Sequence, residues 1–419
     1  MLLALNCWAR RPTLKGVSAT LGRPEVAVVR HPIADARNNV VGYELRFGGA
    51  VDLGDPSQDA KATSALLVEA FGDIGLERLA GRHPAWISIA RNFLVKIGPP
   101  PVRPDRAVVQ IEAYPAADDL LSLLQQLSRS GYTLALNDYD GRDDIQELMS
   151  LCSIVKVDVA GRSDDELAVA LESPRVQGAL LVATGVGDHA AFSRLQGKGF
   201  TYFEGDFFAK PRLFRHRGVA TAGLGSLRQL GELTAGDVSF EDLERIIGSD
   251  VELSLKLLRY VNSAFFALPR TVGSVREALT LLGVRTVRRW ATVMAISAIP
   301  DVPDALVELG LRRARMCEML AGSALPEERE TLFTIGLFSV ADALLDAPMA
   351  EVLDSLPFTD EIQAALLRQS GPKGELLAAV LTYERGDFPS PPSPADGISL
   401  AGAYRAALEW ADDAGRVIA

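Results

Sequence analysis

The chain has 419 residues, 48% hydrophobic and 23% charged, an ordinary globular balance with material for two or three domains. Its formal net charge of −11 argues against a nucleic-acid partner, because phosphate contacts need clustered Lys and Arg. Three widely spaced cysteines, Cys7, Cys152 and Cys317, exclude a disulfide framework or a Cys-rich zinc site and point to a reducing, cytoplasmic setting.

In residues 1–22 a short apolar run precedes the basic residues, the reverse of a secretory signal, so this stretch reads as an N-terminal extension. No stretch approaches the ~18 consecutive apolar residues of a membrane span, and no membrane partner is expected. From Glu25 to about Pro211, strand-like runs alternate with amphipathic segments. The runs include Val26–Val29, Trp86–Ile89, Ala107–Ile111, Thr133–Leu136, Ile154–Val157 and Leu180–Ala183. Between two of them Leu120, Leu121, Leu123, Leu124 and Leu127 make one apolar helix side. This rhythm predicts a parallel sheet with crossover helices. By itself it fits a barrel and a doubly wound sheet equally.

After about Phe214 strand signals almost vanish, and the remainder reads as all-α. Ser239 opens a helix. Ser274 and Glu277 have capping-box spacing, and Gly283 marks the stop. Asn262-Ser263 reads as a helix C-cap rather than a partner contact. Arg285, Arg288 and Arg289, like Arg312, Arg313 and Arg315, read as a solvated helix face neutralised by nearby acids. Trp290 and Phe265-Phe266 are expected in a core or domain interface, and Cys152 as a small buried hydrophobe. The Pro-rich stretch 388–394 reads as an extended linker before one last helix. The four histidines are His31, His83, His189 and His216. None follows residue 216, so no tightly bound metal is expected in the helical half.

Arg30-His31-Pro32-Ile33 and Gly42-Tyr43-Glu44-Leu45 resemble the R-Q-P-I … G-x-E-A-L opening of EAL domains, in the G-Y-E-L form of EAL-HDOD proteins. Further anchors follow in order: Ile87-Ser88-Ile89, Gln110-Ile111-Glu112, Leu136-Asn137-Asp138-Tyr139, Val155-Lys156-Val157-Asp158 and Glu204–Pro211. Each falls at a strand end, where a barrel of this kind carries its site. Asp242–Asp250 and Leu255–Phe266 resemble the HDOD signature, with Asp250-Val251 in place of its D-P pair. Gly336–Ser339, Asp342–Leu344 and Tyr383–Gly386 resemble the end of such chains.

The resemblance implies an α/β TIM-like, EAL-type barrel followed by an all-α HDOD domain. It divides the chain into an extension at 1–22, a degenerate EAL-like domain at 23–214, an HDOD domain at 215–411 and a tail at 412–419. In active EAL domains two divalent cations activate the water that opens cyclic di-GMP, which needs converging carboxylate oxygens. Glu44, Asp138 and Lys156 match the catalytic set, and Glu44, Glu112 and Asp138 the metal set, with Glu112 the nearest candidate for the E-x-T-E Glu. The departures are many. Ser88 stands for an Asn, Asn137 for an Asp, Thr184 and Gly187 for two Glu, Glu204 for a Gln, His31 for a Gln and Gly48 for an Arg. These surviving residues are therefore read as vestigial. The expected function is a non-catalytic signalling scaffold that acts on other signalling proteins. No cofactor is expected beyond a vestigial Mg²⁺ or Mn²⁺ site, and weak cyclic di-GMP binding and self-association are both left open. The alternative is a cyclic di-GMP phosphodiesterase or a non-catalytic cyclic di-GMP receptor.

Overall fold

The computed structural model describes residues 27–48, 76–89, 91, 94–95, 98–100, 102–114, 118–210, 221–234, 238–263, 266, 268, 270–299, 302–321, 328–386 and 398–418. Residues 1–22, Phe265, the 214/215 boundary and the Pro-rich stretch 388–394 lie outside them.

Eight strands close a barrel in sequence order: β1 (Ala27–Asp35), β2 (Val40–Gly48), β3 (Ala85–Ser88), β4 (Ala107–Glu112), β5 (Thr133–Asn137), β6 (Ile154–Asp158), β7 (Leu180–Thr184) and β8 (Tyr202–Glu204). Strands β2 to β8 are mutually parallel, and their near-continuous apolar runs suit burial on both faces. The expectation of a parallel sheet needs one correction, because β1 is antiparallel to both β2 and β8. Its connection to β2 is a tight turn in which Asp35 Oδ1 accepts from Arg37 N (2.8 Å) and Asn39 N (2.9 Å), and so short a link can join only antiparallel strands.

Ile33, Trp86, Val108, Ala135, Ile154 and Val182 plug the barrel interior. Gly42 makes room for this plug: a Cβ there would stand 2.3 Å from Trp86 Nε1. Side chains alternate across each strand, so the next inward residues toward the carboxyl ends are Glu44, Gln110, Lys156 and Glu204. A polar layer thus rests on an apolar floor.

After Glu204 the described residues hold helices and no strand. Ser239, Asp250 and Ser274 cap their helices by accepting from Asp242 N (3.1 Å), Leu253 N (3.0 Å) and Glu277 N (3.1 Å). Asp250 caps the helix Val251–Val261, so Val251 occupies the first helical position, where a proline would only preset φ. Asn262 closes the same helix, and it also ties down the following loop. Its Nδ2 donates to Val272 O (2.9 Å) and its Oδ1 accepts from Val272 N (2.7 Å). Asn262→Ala is expected to cost about 1–3 kcal/mol, as buried backbone groups lose their partners. Chemical denaturation measures this, and a loss under a few tenths would show the loop is held otherwise.

Arg288, Arg289, Arg312, Arg313 and Arg315 are neutralised by acids, as expected, but Arg312 and Arg313 are buried rather than solvated. Arg313 pairs with Glu384 (2.7 Å), Arg289 with Glu318 (2.9 Å), and Arg288 with Glu330. Trp290 and Cys152 are buried, and burial pushes the Cys152 thiol up to about 12. The last helix spans Leu400–Ile418, running through the 411/412 boundary. It packs on β1, where Tyr404 Oη accepts from Arg30 N (2.9 Å). Among the described residues no helix is long and apolar enough to cross a membrane.

Candidate active site at the barrel mouth

β2 presents Glu44 inward and Tyr43 outward, the alternation a strand imposes. Inside, Lys156 Nζ donates to Gln110 Oε1 (2.6 Å) and Glu44 Oε1 (3.1 Å), and lies 3.0 Å from Glu204 Oε2. Gln110 Nε2 donates to Glu44 Oε1 (3.2 Å). From the rim, Arg46 reaches back over the same carboxylates. Its Nη2 donates to Glu204 Oε1 (2.8 Å) and to Glu44 Oε2 (3.1 Å), and its Nε to Glu44 Oε2 (3.3 Å).

Two buried carboxylates therefore face two cations. The Lys156 ammonium holds the Glu44 carboxyl well below the usual range, against the burial that would raise it. Burial, and then the charge of Glu44, push the Glu204 carboxyl up, opposed by Lys156 and Arg46. His31 lies opposite Glu44 in the β1–β2 register, and its Nε2 is buried without a hydrogen-bond partner. Burial and the charge of Arg46 hold its imidazole down at about 4, so it is uncharged at neutral pH.

The structure brings Glu44 and Lys156 together. It leaves Glu112 and Asp138 at the exposed rim, where Asn137 Nδ2 donates to Glu112 Oε1 (3.1 Å). Asp138 has a left-handed φ of 52°, a conformation that Asp tolerates better than most residues. On β4 it is Gln110, two residues before Glu112, that enters the polar layer. The signal for it was a polar residue in an otherwise apolar strand, in phase with Val108. Arg46 had no such signal, since it stands two places before Gly48, where the family pattern has its Arg. Gly205 is fixed by space: its φ is 153° and a Cβ would stand 2.3 Å from Val186 O.

As arranged, these residues do not fit a pair of divalent cations. The oxygens of Glu44 and Glu204 are committed to Lys156 and Arg46, while Gln110 and Asn137 are neutral. Among the described residues no group of three or more His, Cys, Asp and Glu is placed to hold a metal ion.

An HDOD domain model matches residues 227–345. The chain is 32% identical over 368 residues to the cyclic di-GMP phosphodiesterase CdgJ of Vibrio cholerae, covering 86% of this chain and 85% of that one. It is 26% identical over 399 residues to the uncharacterized protein YuxH of Bacillus subtilis, covering 92% and 98%. Among solved structures, a manganese and cyclic di-GMP complex of Klebsiella pneumoniae BlrP1 is similar to 45% of this chain over 56% of its own, at 18% identity and a TM-score of 0.36. Two expectations are overturned. The reading as a non-enzyme fails because a relative matching most of the chain is a cyclic di-GMP phosphodiesterase. The expectation of no cofactor falls with it, because it rested on the same reading of the barrel as non-catalytic. A barrel carrying the EAL-type opening, an HDOD match in the helical half and a relative aligned across both halves place the chain in the EAL-HDOD family.

Proposed function

We propose that this chain is a cyclic di-GMP phosphodiesterase whose site is the polar layer at the barrel mouth. The observation that carries the reading is the 32% identity to CdgJ across 86% of the chain. The geometry supports it in two respects. Glu44 and Lys156 meet at the carboxyl ends of the strands, the face on which barrels of this kind do their chemistry. Arg46, 46% exposed at its side chain, turns a cation toward any phosphodiester that enters the mouth. Arg46 pairs with both carboxylates, of Glu44 and Glu204.

The test is product formation from cyclic di-GMP by the full chain with Mn²⁺ or Mg²⁺. Linear turnover that Glu44→Gln abolishes is the expected result, a loss of at least about 100-fold for a group at the reacting centre. Saturable binding without turnover, or no binding, overturns it.

A further inference from the structure

Strand β1 runs past one of its neighbours at the mouth. β8 ends at Glu204, opposite Ile33, so among the described residues the stretch 27–32 has β2 on one side and no strand on the other. Within a strand the C=O of one residue and the N–H two places on point to the same edge. Val28 O and Arg30 N therefore lie together on the open edge. The next N–H in that series would belong to Pro32, which has none. A buried backbone donor and acceptor left unmet would be costly.

The helical half meets both with tyrosines. Tyr404, on the last helix, accepts from Arg30 N (2.9 Å), and Tyr383, on the helix Gly371–Glu384, donates to Val28 O (3.3 Å). Both side chains are buried, and their rings lie 5.3 Å apart. Two hydroxyls thus stand where a neighbouring strand would offer its carbonyl and amide.

We propose that Tyr383 and Tyr404 are positioning residues for the barrel site, so that the catalytic unit spans both halves of the chain. The anchored residues, Val28 and Arg30, alternate along β1 with Val29 and His31, which are the register partners of Arg46 and Glu44. The β1–β2 ladder therefore passes the restraint from the helical half to the site. A misplacement of about 1 Å at a reacting centre can cost about 100-fold in rate, so even partial release is visible in turnover. That kinetic consequence rests on the phosphodiesterase reading, and the structural one does not. His31 reports release without any substrate. Burial and the charges of Arg46 and Arg312 hold its imidazole at about 4, against Glu44 and Asp206. Loosening β1 admits water and draws Arg312 away with the helical half, and both changes raise the imidazole toward the ordinary histidine range.

The experiment uses the full chain with Tyr383→Phe and Tyr404→Phe, singly and together. Phenylalanine keeps the packed rings and removes only the hydroxyls. Hydrogen exchange, the titration of His31 by nuclear magnetic resonance, and kcat and KM for cyclic di-GMP are read on each. Tyr132→Phe is the control. It removes bonds of the same kind, to Pro100 O (3.1 Å) and Val102 O (2.6 Å), just before the amino end of β5, away from the mouth. In the double variant β1 should exchange at least about tenfold faster than in the native chain, while β5 to β7 keep their protection. His31 should titrate upward, and kcat should fall about tenfold with KM changed less than about twofold. Tyr132→Phe should leave β1, His31 and kcat as in the native chain. Should the double variant not fold, Tyr383→Phe, which loses the longer bond, gives the same readings at smaller size. Unchanged β1 exchange and His31 titration overturn the proposal. So does, in a native chain that turns over, a kcat unmoved in the double variant or lowered equally by Tyr132→Phe. A native chain without turnover refutes the phosphodiesterase reading alone, and exchange and His31 then decide on the positioning.

Discussion

Lys156→Met is expected to destabilise the protein by about 3–5 kcal/mol at neutral pH, since removing one partner of a buried ion cluster leaves uncompensated charge. Lys156 is the better enclosed of the two cations, and it touches Glu44, Gln110 and Glu204 together. Methionine fills similar volume, so the loss is electrostatic rather than a cavity. The pH dependence separates the two causes. In the native chain Glu44 is held below its unfolded value, which contributes stability above that value and loses it as pH falls through the folded one. Glu204 is raised, so its contribution has the opposite sign: it is present below the unfolded value and lost as pH rises through the folded one. The two partly cancel in acid. Without Lys156 the chief force lowering Glu44 is gone, and both carboxyls prefer to be protonated. The gap between the two chains should therefore shrink as pH falls from 8 toward 5. Urea denaturation at the two pH values measures it. A gap that stays constant would assign the loss to packing.

The architecture was legible because it rests on periodicity. Alternating buried runs mark six of the eight strands, the resemblance and not the period selects a barrel, and the change of period after Phe214 marks the helical half. The antiparallel β1 was not legible, since a strand's direction is set by its connection and the run of apolar residues is the same either way. The site was half legible. Glu44 and Lys156 sit in motifs, and Glu204 was read as a substitution for Gln. Against the motif, Glu204 registers only as a lost Gln. In space it supplies a second carboxylate, which brings Arg46 with it. A compensating pair such as Arg46–Glu204, 158 residues apart in the chain, leaves no mark in local pattern. Glu112 is the nearest match to the E-x-T-E Glu by residue type, yet it stays at the exposed rim. The pleat puts Gln110 and Glu112 on one face of β4, and it is depth along the strand that places Gln110 beside Glu44 and leaves Glu112 at the rim.

Arg30→Met is expected to cost about 3–5 kcal/mol and to loosen the contact between the barrel and the helical half. Arg30 opens the R-x-P-I motif, yet it faces away from the site. It is buried, and its Nη1 donates to Leu79 O (2.9 Å). Its Nη2 meets Glu308 and, at 2.8 Å, Asp412, both from the helical half. The guanidinium lies 4.4 Å over the Tyr43 ring, whose hydroxyl donates to Glu308 Oε2 (3.0 Å). Glu308 keeps Arg312 at 3.2 Å if Arg30 is removed, so it is not the group most exposed to the loss. Asp412 is: burial already raises its carboxyl, and Arg30 is the chief charge opposing that rise. Arg30→Met combined with Asp412→Asn should recover a large part of the loss, because no charge is then left orphaned, and the coupling between the two sites should be about 1–3 kcal/mol. Hydrogen exchange locates the effect. β1, β2 and the helix Leu400–Ile418 should exchange faster together in Arg30→Met, while β5 to β7 keep their protection. β2 carries Tyr43 on the interface side and Glu44 and Arg46 on the site side, so loosening one face loosens the strand that holds the other. Exchange confined to the last helix, with β2 unchanged, would show that the interface and the site are mechanically separate.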